Sequence, residues 1–189
     1  MLRMIIAGFC LLTFVPGYAA IVLGNPKGHI TVVEVLDYQC PHCHEAYPAV
    51  EKLVAHNTDV RLRLLPTAII NATSIYEAAA AIAVTRYKGQ FQLFNSVVLS
   101  EPPLNKNQVK ETLNRLGLAT KEKELNELMH RTFVKKQILE GLHLLKKYQA
   151  NTPFFMIYPT GKRNQAKILR GVPSYRQLQK GVDNVANRY

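Results

Sequence analysis

The sequence predicts an α/β fold with a block of helices inserted between its second and third strands. Strand patterns at 29–38 and 59–65 flank a helical pattern at 41–56, and so short a crossover implies parallel neighbouring strands. Residues 73–148 then carry helical patterns throughout. Two further strands and a final helix follow, so the predicted order is β-α-β, helical block, β-β-α.

The first three elements differ in their apolar patterns. The strand at 29–38 is mostly apolar, as expected of a strand buried on both faces. In the helix at 41–56, Pro48 should produce a kink or end a first helical segment. The strand at 59–65 alternates apolar and polar residues, which is typical of a half-buried strand.

Capping, glycine and proline signals divide the middle segment. The predicted helices run from a capping box at Ser74–Glu77 to Gly89, from Phe91 to Pro102, over 106–116, and, as one broken helix or two, over 120–131 and 133–148.

The last part of the chain begins with an aromatic strand at 151–158 that contains Pro153 near its start. A turn at 159–162 joins it as a hairpin to a strand at 166–171. A second capping box, Ser174–Gln177, opens the final helix.

Residues 1–19 have the pattern of a secretory signal peptide. Arg3 supplies a basic start, and the apolar run that follows is too short to span a bilayer. Small residues at Gly17 and Ala19 favour cleavage after Ala19, with an uncleaved anchor as the alternative. We therefore expect an exported, periplasmic protein.

Removal of the signal peptide leaves two cysteines, Cys40 and Cys43. In an oxidising compartment a structural disulfide gains most by closing a long loop. This pair would close a minimal one, so the two cysteines are better explained as reactive.

The position of the pair at the start of a helix explains how it could react. At a helix N-terminus, unpaired N–H groups and the helix dipole would stabilise a Cys40 thiolate. Pro41 fits the first helical position, and Cys43 follows one turn later on the same face. His42 can stand near the Cys40 sulfur and lower its pKa further. A stabilised thiolate favours the dithiol, which makes the disulfide an oxidant.

The formal charge of +11 is spread along the chain without a long basic run. It therefore predicts a solvated basic surface and no nucleic-acid binding. Weak attraction to anionic membrane surfaces or acidic partners is compatible with this charge.

The Cys-Pro-His-Cys motif at the first strand–helix junction, with Thr152-Pro153 before a late strand, resembles the DsbA-like thiol:disulfide oxidoreductases of bacterial envelopes. The run from Gly24 to Cys40 is similar to BdbD-type members. The resemblance implies a thioredoxin fold with a helical insertion. We expect residues 20–72 and 149–189 to form the thioredoxin-like domain and 73–148 the insertion.

The resemblance also implies roles for individual residues. Cys40 would be the exposed attacking cysteine and Cys43 its buried partner. Thr152 and Pro153 would form a cis-proline loop that faces the dithiol and pairs with an extended substrate peptide. Glu34 would be a buried acid that accepts the Cys43 proton, the alternative being an exposed glutamate at a strand edge.

The function implied is a monomeric dithiol oxidase that needs no cofactor and introduces disulfides into reduced exported proteins. A quinone-linked membrane partner resembling DsbB would reoxidise it. A disulfide isomerase or reductase of the same fold is the alternative, because threonine before Pro153 is frequent in isomerase-type relatives. The helical insertion would act as a lid or wall that shapes the substrate groove.

Three other classes of protein are alternative interpretations of the cysteine pair. Cys40, Cys43 and His44 also satisfy the C-x-x-C-H motif of c-type cytochromes, with Met129 or Met156 as the sixth haem ligand. The strand before the motif argues against an all-helical cytochrome. A zinc site would need further ligands such as His42 or His44. A non-catalytic peptide-binding module of the same fold is a third alternative.

Overall fold

The computed structural model describes residues 20–187, so the predicted signal peptide at 1–19 lies outside the described residues. The strands are β1 Ile21–Gly24, β2 Ile30–Leu36, β3 Val60–Pro66, β4 Phe154–Pro159 and β5 Lys167–Arg170. The helices are α1 Pro41–His56, α2 Ala72–Val84, α3 Gln90–Ser100, α4 Lys106–Leu113, α5 Glu122–Met129, α6 Thr132–Tyr148 and α7 Tyr175–Ala186. The predicted α/β class and the order of its elements are confirmed.

The strands form one mixed sheet in the order β1-β3-β2-β4-β5. As predicted, β2 and β3 are parallel and β4 and β5 form an antiparallel hairpin. β2 lies at the centre, since β4 pairs with its other side. Every residue of β2 is buried, in agreement with its apolar pattern.

β1 was not predicted. It is a four-residue edge strand that pairs antiparallel to β3, with Ile21 opposite Leu64. So short a segment carries no periodicity of its own, and its extended form depends on β3 as a partner. Because of this extra strand, the helical insertion lies between β3 and β4 of the observed sheet.

Helices cover both faces of the sheet. α6 packs on the face of Val33 and Val35, where Leu144 and Leu145 are buried with Phe154. α1 and α7 cover the opposite face, and the larger core there continues into the insertion. One side of β2 therefore faces α1, the helix that begins at the cysteines.

The insertion consists of α2–α6. α2 is its central helix: residues 77–84 are all buried, and α3, α4, α5 and α6 pack around it. The predicted domain boundaries agree with the positions of these helices but remain a prediction. Within residues 20–187, no helix combines the length and apolarity needed to cross a membrane.

Helix boundaries differ from the predictions at three places. α1 continues through Pro48 to His56, so Pro48 does not end a helical segment. α2 begins one turn early, because the Asn71 side chain accepts from the N–H groups of Thr73 and Ser74 and forms the capping box with Ser74. It also ends at Val84, well before Gly89.

The other boundary predictions agree better with the structure. α5 and α6 are separate helices, which decides between the two alternatives for that segment. The capping box of Ser174 and Gln177 opens α7 as predicted.

Candidate active site

Three residues separate the end of β2 from Cys40, and this connection brings Cys40 to the N-cap position of α1. Pro41 is the first residue of the helix, where no N–H is needed. Cys43 follows one turn later, and both cysteines are free thiols. Cys40 is 6% exposed and Cys43 1% exposed. Cys40 is thus the more accessible of the two, but it is far more enclosed than the exposed cysteine that the resemblance implied.

The surroundings of Cys40 favour its thiolate. A hydrogen bond with the Cys43 thiol contributes most to lowering the pKa of Cys40 to about 5, against the opposing effect of partial burial. The Thr152 side chain and the backbone N–H groups of Cys43 and His42 add to the effect. The two N–H groups belong to the first turn of α1, where anions are favoured.

Thr152, in the loop before β4, contacts the sulfur of Cys40. In the dithiol form the Cys40 thiol donates to the Thr152 carbonyl oxygen over 3.4 Å. The Thr152 hydroxyl is buried and, among the described residues, has no hydrogen-bond partner. It is therefore available to donate to the Cys40 sulfur once the thiolate forms.

The Thr152–Pro153 peptide bond is cis, as the resemblance implied. The Pro153 carbonyl accepts from the N–H of Gly171 over 3.1 Å, which ties the loop to the end of β5. Pro153 has no N–H and cannot donate to the sulfur.

The surroundings of Cys43 have the opposite effect. Burial raises the pKa of the Cys43 thiol far above its usual value, and the hydrogen bond to Cys40, its charge and the charge of Glu34 raise it further. One turn of helix therefore separates a thiol that ionises readily from one that stays neutral.

Glu34 lies in the middle of β2, opposite Leu64 of β3 and Phe155 of β4. It is 3% exposed, so the alternative of an exposed strand-edge glutamate is wrong. Burial raises its pKa to about 8. The side chain contributes to the wall of an open groove between α1 and α3, which Tyr47 and Glu51 also line. The buried carboxyl group therefore lies at the wall of a groove that is open to solvent.

His42 differs from the expectation. Its ring is 68% exposed, and its Nδ1 lies 3.4 Å from the Glu45 carboxylate. The contribution of this residue to the thiolate comes from its backbone N–H.

His44, by contrast, lies between two backbone carbonyls. Its Nε2 is 2.6 Å from the Tyr38 oxygen and its Nδ1 is 2.7 Å from the Glu101 oxygen. The ring thus connects the first turn of α1 to the end of α3. A haem ligand would need one of these nitrogens free, so this geometry gives the cytochrome hypothesis no support.

A partly buried polar network lies behind Cys40, and the sequence pattern did not predict it. Gln39 donates to the Glu77 carboxylate over 2.9 Å and to the Leu104 carbonyl over 2.7 Å, and it accepts from Asn71 over 3.1 Å. Burial raises the pKa of Glu77 to about 7. The sequence pattern predicts a capping role for Glu77, and nothing in the local pattern indicates that it meets the residue before Cys40.

Asp37 completes this network. It is fully buried and accepts from the N–H groups of Gln39, Ile69 and Ile70. It therefore holds the loop that follows β3 against the segment that leads to Cys40.

Within residues 20–187, no group of three or more histidine, cysteine or acidic side chains is arranged to hold a metal ion. Met129 lies in the core of the insertion and Met156 in β4. What the site does bring together is a dithiol of unequal acidity, a loop that faces it and a buried carboxyl group, the groups that thiol–disulfide exchange uses.

Comparison with known families agrees with this chemistry. The family model described as Thioredoxin matches residues 18–168, and the chain belongs to this family. A thioredoxin-like oxidoreductase from Silicibacter pomeroyi DSS-3 is 31% identical, with 90% of this chain and 93% of that chain covered and a TM-score of 0.79.

Two more distant structures share the fold. The catalytic domain of Proteus mirabilis ScsC is 19% identical over 92% of each chain, with a TM-score of 0.75. The thiol-disulfide exchange protein alpha-DsbA2 from Wolbachia pipientis is 20% identical over 87% of this chain and 86% of that one, also with a TM-score of 0.75. The expected resemblance to DsbA-like proteins and the class of protein disulfide oxidoreductase are confirmed.

A curated relative shares only a segment. The Na(+)/H(+) antiporter NhaA 3 of Salinispora tropica is 29% identical over 99 residues, which is 51% of this chain but 15% of the antiporter. The chain therefore spans a small part of that relative.

Proposed function

We propose that this protein is a dithiol oxidase of the bacterial envelope that introduces disulfides into exported proteins. The observation that carries the proposal is the unequal acidity of the pair, with the pKa of Cys40 lowered to about 5 and that of Cys43 raised. At neutral pH the reduced protein then holds Cys40 as a stabilised thiolate. Stabilising the reduced form makes the corresponding disulfide more oxidising.

The exchange begins on the oxidised protein. A client thiolate attacks the Cys40 sulfur, the Cys40–Cys43 bond breaks, and Cys43 leaves with the electron pair. A second client thiolate then attacks the client sulfur of the mixed disulfide, and Cys40 leaves as a thiolate. The client loses two electrons and gains a disulfide, while the protein gains the two electrons as a dithiol.

Glu34 donates a proton to Cys43, which is the buried leaving group. A Cys43 thiolate is disfavoured by burial, so it takes up a proton as it leaves. Glu34, whose pKa is raised to about 8, still carries a proton at pH 7 and can supply it. In reoxidation the ionised Glu34 accepts the Cys43 proton again.

The rest of the site positions the client and the attacking sulfur. Thr152 donates to the Cys40 thiolate, and the loop of Thr152 and Pro153 pairs with an extended client segment. Pro41 starts the helix, and the His42 backbone N–H stabilises the thiolate.

The cellular setting follows from the signal-peptide pattern and the resemblance to envelope oxidoreductases. We propose cleavage after Ala19, a periplasmic monomer with no cofactor, and reoxidation by a quinone-linked membrane protein resembling DsbB. Residues 73–148 form the insertion on a thioredoxin-like domain of 20–72 and 149–189.

The reduction potential tests the proposal. The protein without residues 1–19 would be equilibrated in a glutathione series and its free thiols counted by alkylation and mass. A potential well above that of glutathione is the expected result. A potential at or below it would overturn the oxidase assignment in favour of a reductase or isomerase, which the threonine before Pro153 also suits.

A further inference from the structure

We propose that a groove on the helical insertion binds acidic, partly apolar segments of client proteins while their cysteines react at Cys40. This groove, named the insert groove, is lined by α2, α4, α5 and α6. The inference rests on the proposed function, because it names the kind of client that the same site would oxidise. It does not depend on the direction of the redox reaction.

The insert groove has the dimensions and floor of a binding site. It is an open cavity of about 400 Å³, and its apolar lining includes Ile75, Tyr76, Met129 and Ile138. Ile75 is 58% exposed, although it belongs to a helix that is otherwise buried for most of its length. An exposed isoleucine at the edge of an apolar concavity is typical of an interaction surface.

The charge of the insert groove is of one sign. Lys106, Lys110 and Lys135 line it, and no aspartate or glutamate does. Lys106 lies over the Tyr76 ring, 4.9 Å from its centroid. Lys110 reaches Glu122 over 3.6 Å, but both side chains are about half exposed or more, so this pair neutralises little of the field. A ligand with carboxylates at its edges and an apolar middle complements this arrangement.

A second cavity extends the floor of the insert groove. It has a volume of about 50 Å³ and shares Tyr76, Lys110, Asn126 and Met129 with the groove. Its wall includes Leu113, Leu118 and Leu125, which belong to the packed core, and Glu122, the partner of Lys110. This small cavity adds apolar contact surface for a ligand whose carboxylates stay against the lysines.

The insert groove begins next to the active site. Ala72 at its edge follows Asn71, which donates to Gln39, the residue before Cys40. Between the two, Ile69 and Ile70 are 42% and 48% exposed, and Asp37 accepts from both of their N–H groups. An extended chain that leaves Cys40 can therefore continue over these isoleucines toward Ile75.

This continuity favours a client polypeptide over a free lipid as the occupant. A lipid would be drawn by the same lysines and apolar floor, but nothing would relate its position to the dithiol. A polypeptide bound at Cys40 passes the exposed isoleucines before it reaches the lysines. The excess of basic residues in the whole chain, with a formal charge of +11, would also steer acidic segments toward it.

Binding of a cysteine-free peptide tests the inference without redox chemistry. Two fluorescent peptides would be compared by anisotropy on the mature protein, one alternating glutamate with leucine and phenylalanine, the other with lysine in place of each glutamate. We expect the acidic peptide to bind at least about tenfold more tightly at low salt, with the difference falling as salt is raised. Equal binding of the two peptides would overturn the inference.

Variants locate the binding. The double variant Lys106→Glu/Lys135→Glu should weaken the acidic peptide at least about tenfold, whereas the matched charge reversal Lys88→Glu/Lys180→Glu, outside the groove, should have a smaller effect. Lys135→Glu alone guards against misfolding caused by loss of the Lys106–Tyr76 contact. Ile75→Ser should also weaken binding, and Leu93→Ser, which is similarly exposed outside the insert groove, should not.

The experiments also distinguish the oxidase proposal from the insert-groove proposal, and a polypeptide occupant from a lipid. If the potential is low but the acidic peptide binds in the groove, the oxidase assignment fails and the insert groove stands. If small dithiols are oxidised but acidic and basic cysteine peptides react equally, the groove fails and the oxidase stands. Vesicles rich in phosphatidylglycerol, bound through the same lysines in the absence of peptide binding, would assign the groove to lipid and overturn the inference.

Discussion

The dithiol site has a rim, formed by Cys40, Thr152 and the first N–H groups of α1, and a floor, formed by Cys43 and Glu34. The rim stabilises a negative charge, whereas the floor disfavours one. The rim lowers the pKa of Cys40 to about 5, while the floor raises the pKa of Glu34 to about 8 and that of Cys43 even further. Only one turn of α1 separates the two cysteines. The difference comes from hydrogen-bond donors at the rim and from burial at the floor.

The comparison explains why two identical side chains have different tasks. A sulfur at the rim leaves readily as a thiolate, since donors for its charge are already in place. A sulfur at the floor needs a proton whenever it leaves, and we propose that the neutral carboxyl group of Glu34 supplies it. The asymmetry, more than the presence of two cysteines, distinguishes the roles that we propose for the two sulfurs.

The two cysteines should show the largest difference on substitution. Cys40→Ser should lower the rate of dithiol oxidation by more than about a hundredfold, because no sulfur remains for the client to attack. Cys43→Ala should keep the attacking thiol and accumulate mixed disulfides with client, detected by non-reducing electrophoresis and mass. If Cys43→Ala traps none when it is activated with an aromatic disulfide and given reduced client, the assigned roles are wrong.

Glu34→Gln should show how much the buried carboxyl group of Glu34 lowers the free energy of unfolding as the pH rises. In the unfolded chain the carboxyl group ionises near pH 4.5, but in the folded protein it stays protonated up to about pH 8. Between these values the folded state holds the extra proton, so stability falls by about 1.4 kcal/mol per pH unit as the pH rises. Removing the group should flatten this decline.

Urea unfolding of reduced wild type and Glu34→Gln between pH 5 and 8 measures the effect. The variant should gain stability relative to wild type as the pH rises. A parallel pH dependence of the two proteins would contradict the assignment of this decline to Glu34.

Gln39→Met, which alters the polar network behind Cys40, should have an intermediate effect on the free energy of unfolding. The substitution keeps the volume but removes the donor to Glu77 and Leu104 and the acceptor for Asn71. Loss of the hydrogen bonds to the buried Glu77 and Leu104 should cost about 1–3 kcal/mol in the free energy of unfolding. Gln92→Met, at an exposed position of α3, is the matched control and should change stability little. An equal loss in both variants would show that the network contributes nothing special.

His42→Ala should have the smallest effect on the rim. The ring is largely exposed, and the backbone N–H that lowers the pKa of Cys40 remains after the substitution. The pKa of Cys40 should rise by less than about one unit. Thr152→Val, which removes the buried hydroxyl beside the sulfur, should raise it more. The reverse order, measured by the pH dependence of alkylation, would return the main role to the histidine ring.

The local parts of this account were readable from the sequence. A β-branched run that ends at Cys40, with Pro41 and Cys43 after it, predicts the helix N-terminus and the reactive pair without knowledge of the rest. The cis bond before Pro153 was implied by resemblance and is confirmed. The roles of Glu34 and His42 remain predictions, although the structure places one in the core and the other at the surface.

Features that depend on distant partners were not readable. β1 exists because β3 offers it an edge, and Gln39 matters because Glu77 and Asn71 of the insertion meet it. The start of α2 shows a subtler limit, since two overlapping capping boxes, at Asn71 and at Ser74, fit the same stretch. Burial of Glu77 against Gln39 leaves the earlier one to cap the helix.

Alkylation of the reduced wild-type protein across pH tests the asymmetry most directly. Iodoacetamide rates at Cys40 and Cys43 would be followed separately by peptide mass mapping from about pH 3 to 10. The account predicts a rate at Cys40 that is half-maximal near pH 5 and constant above about pH 7, with Cys43 unmodified throughout. Half-maximal reaction of Cys40 near pH 9, or equal reaction of both cysteines, would contradict it.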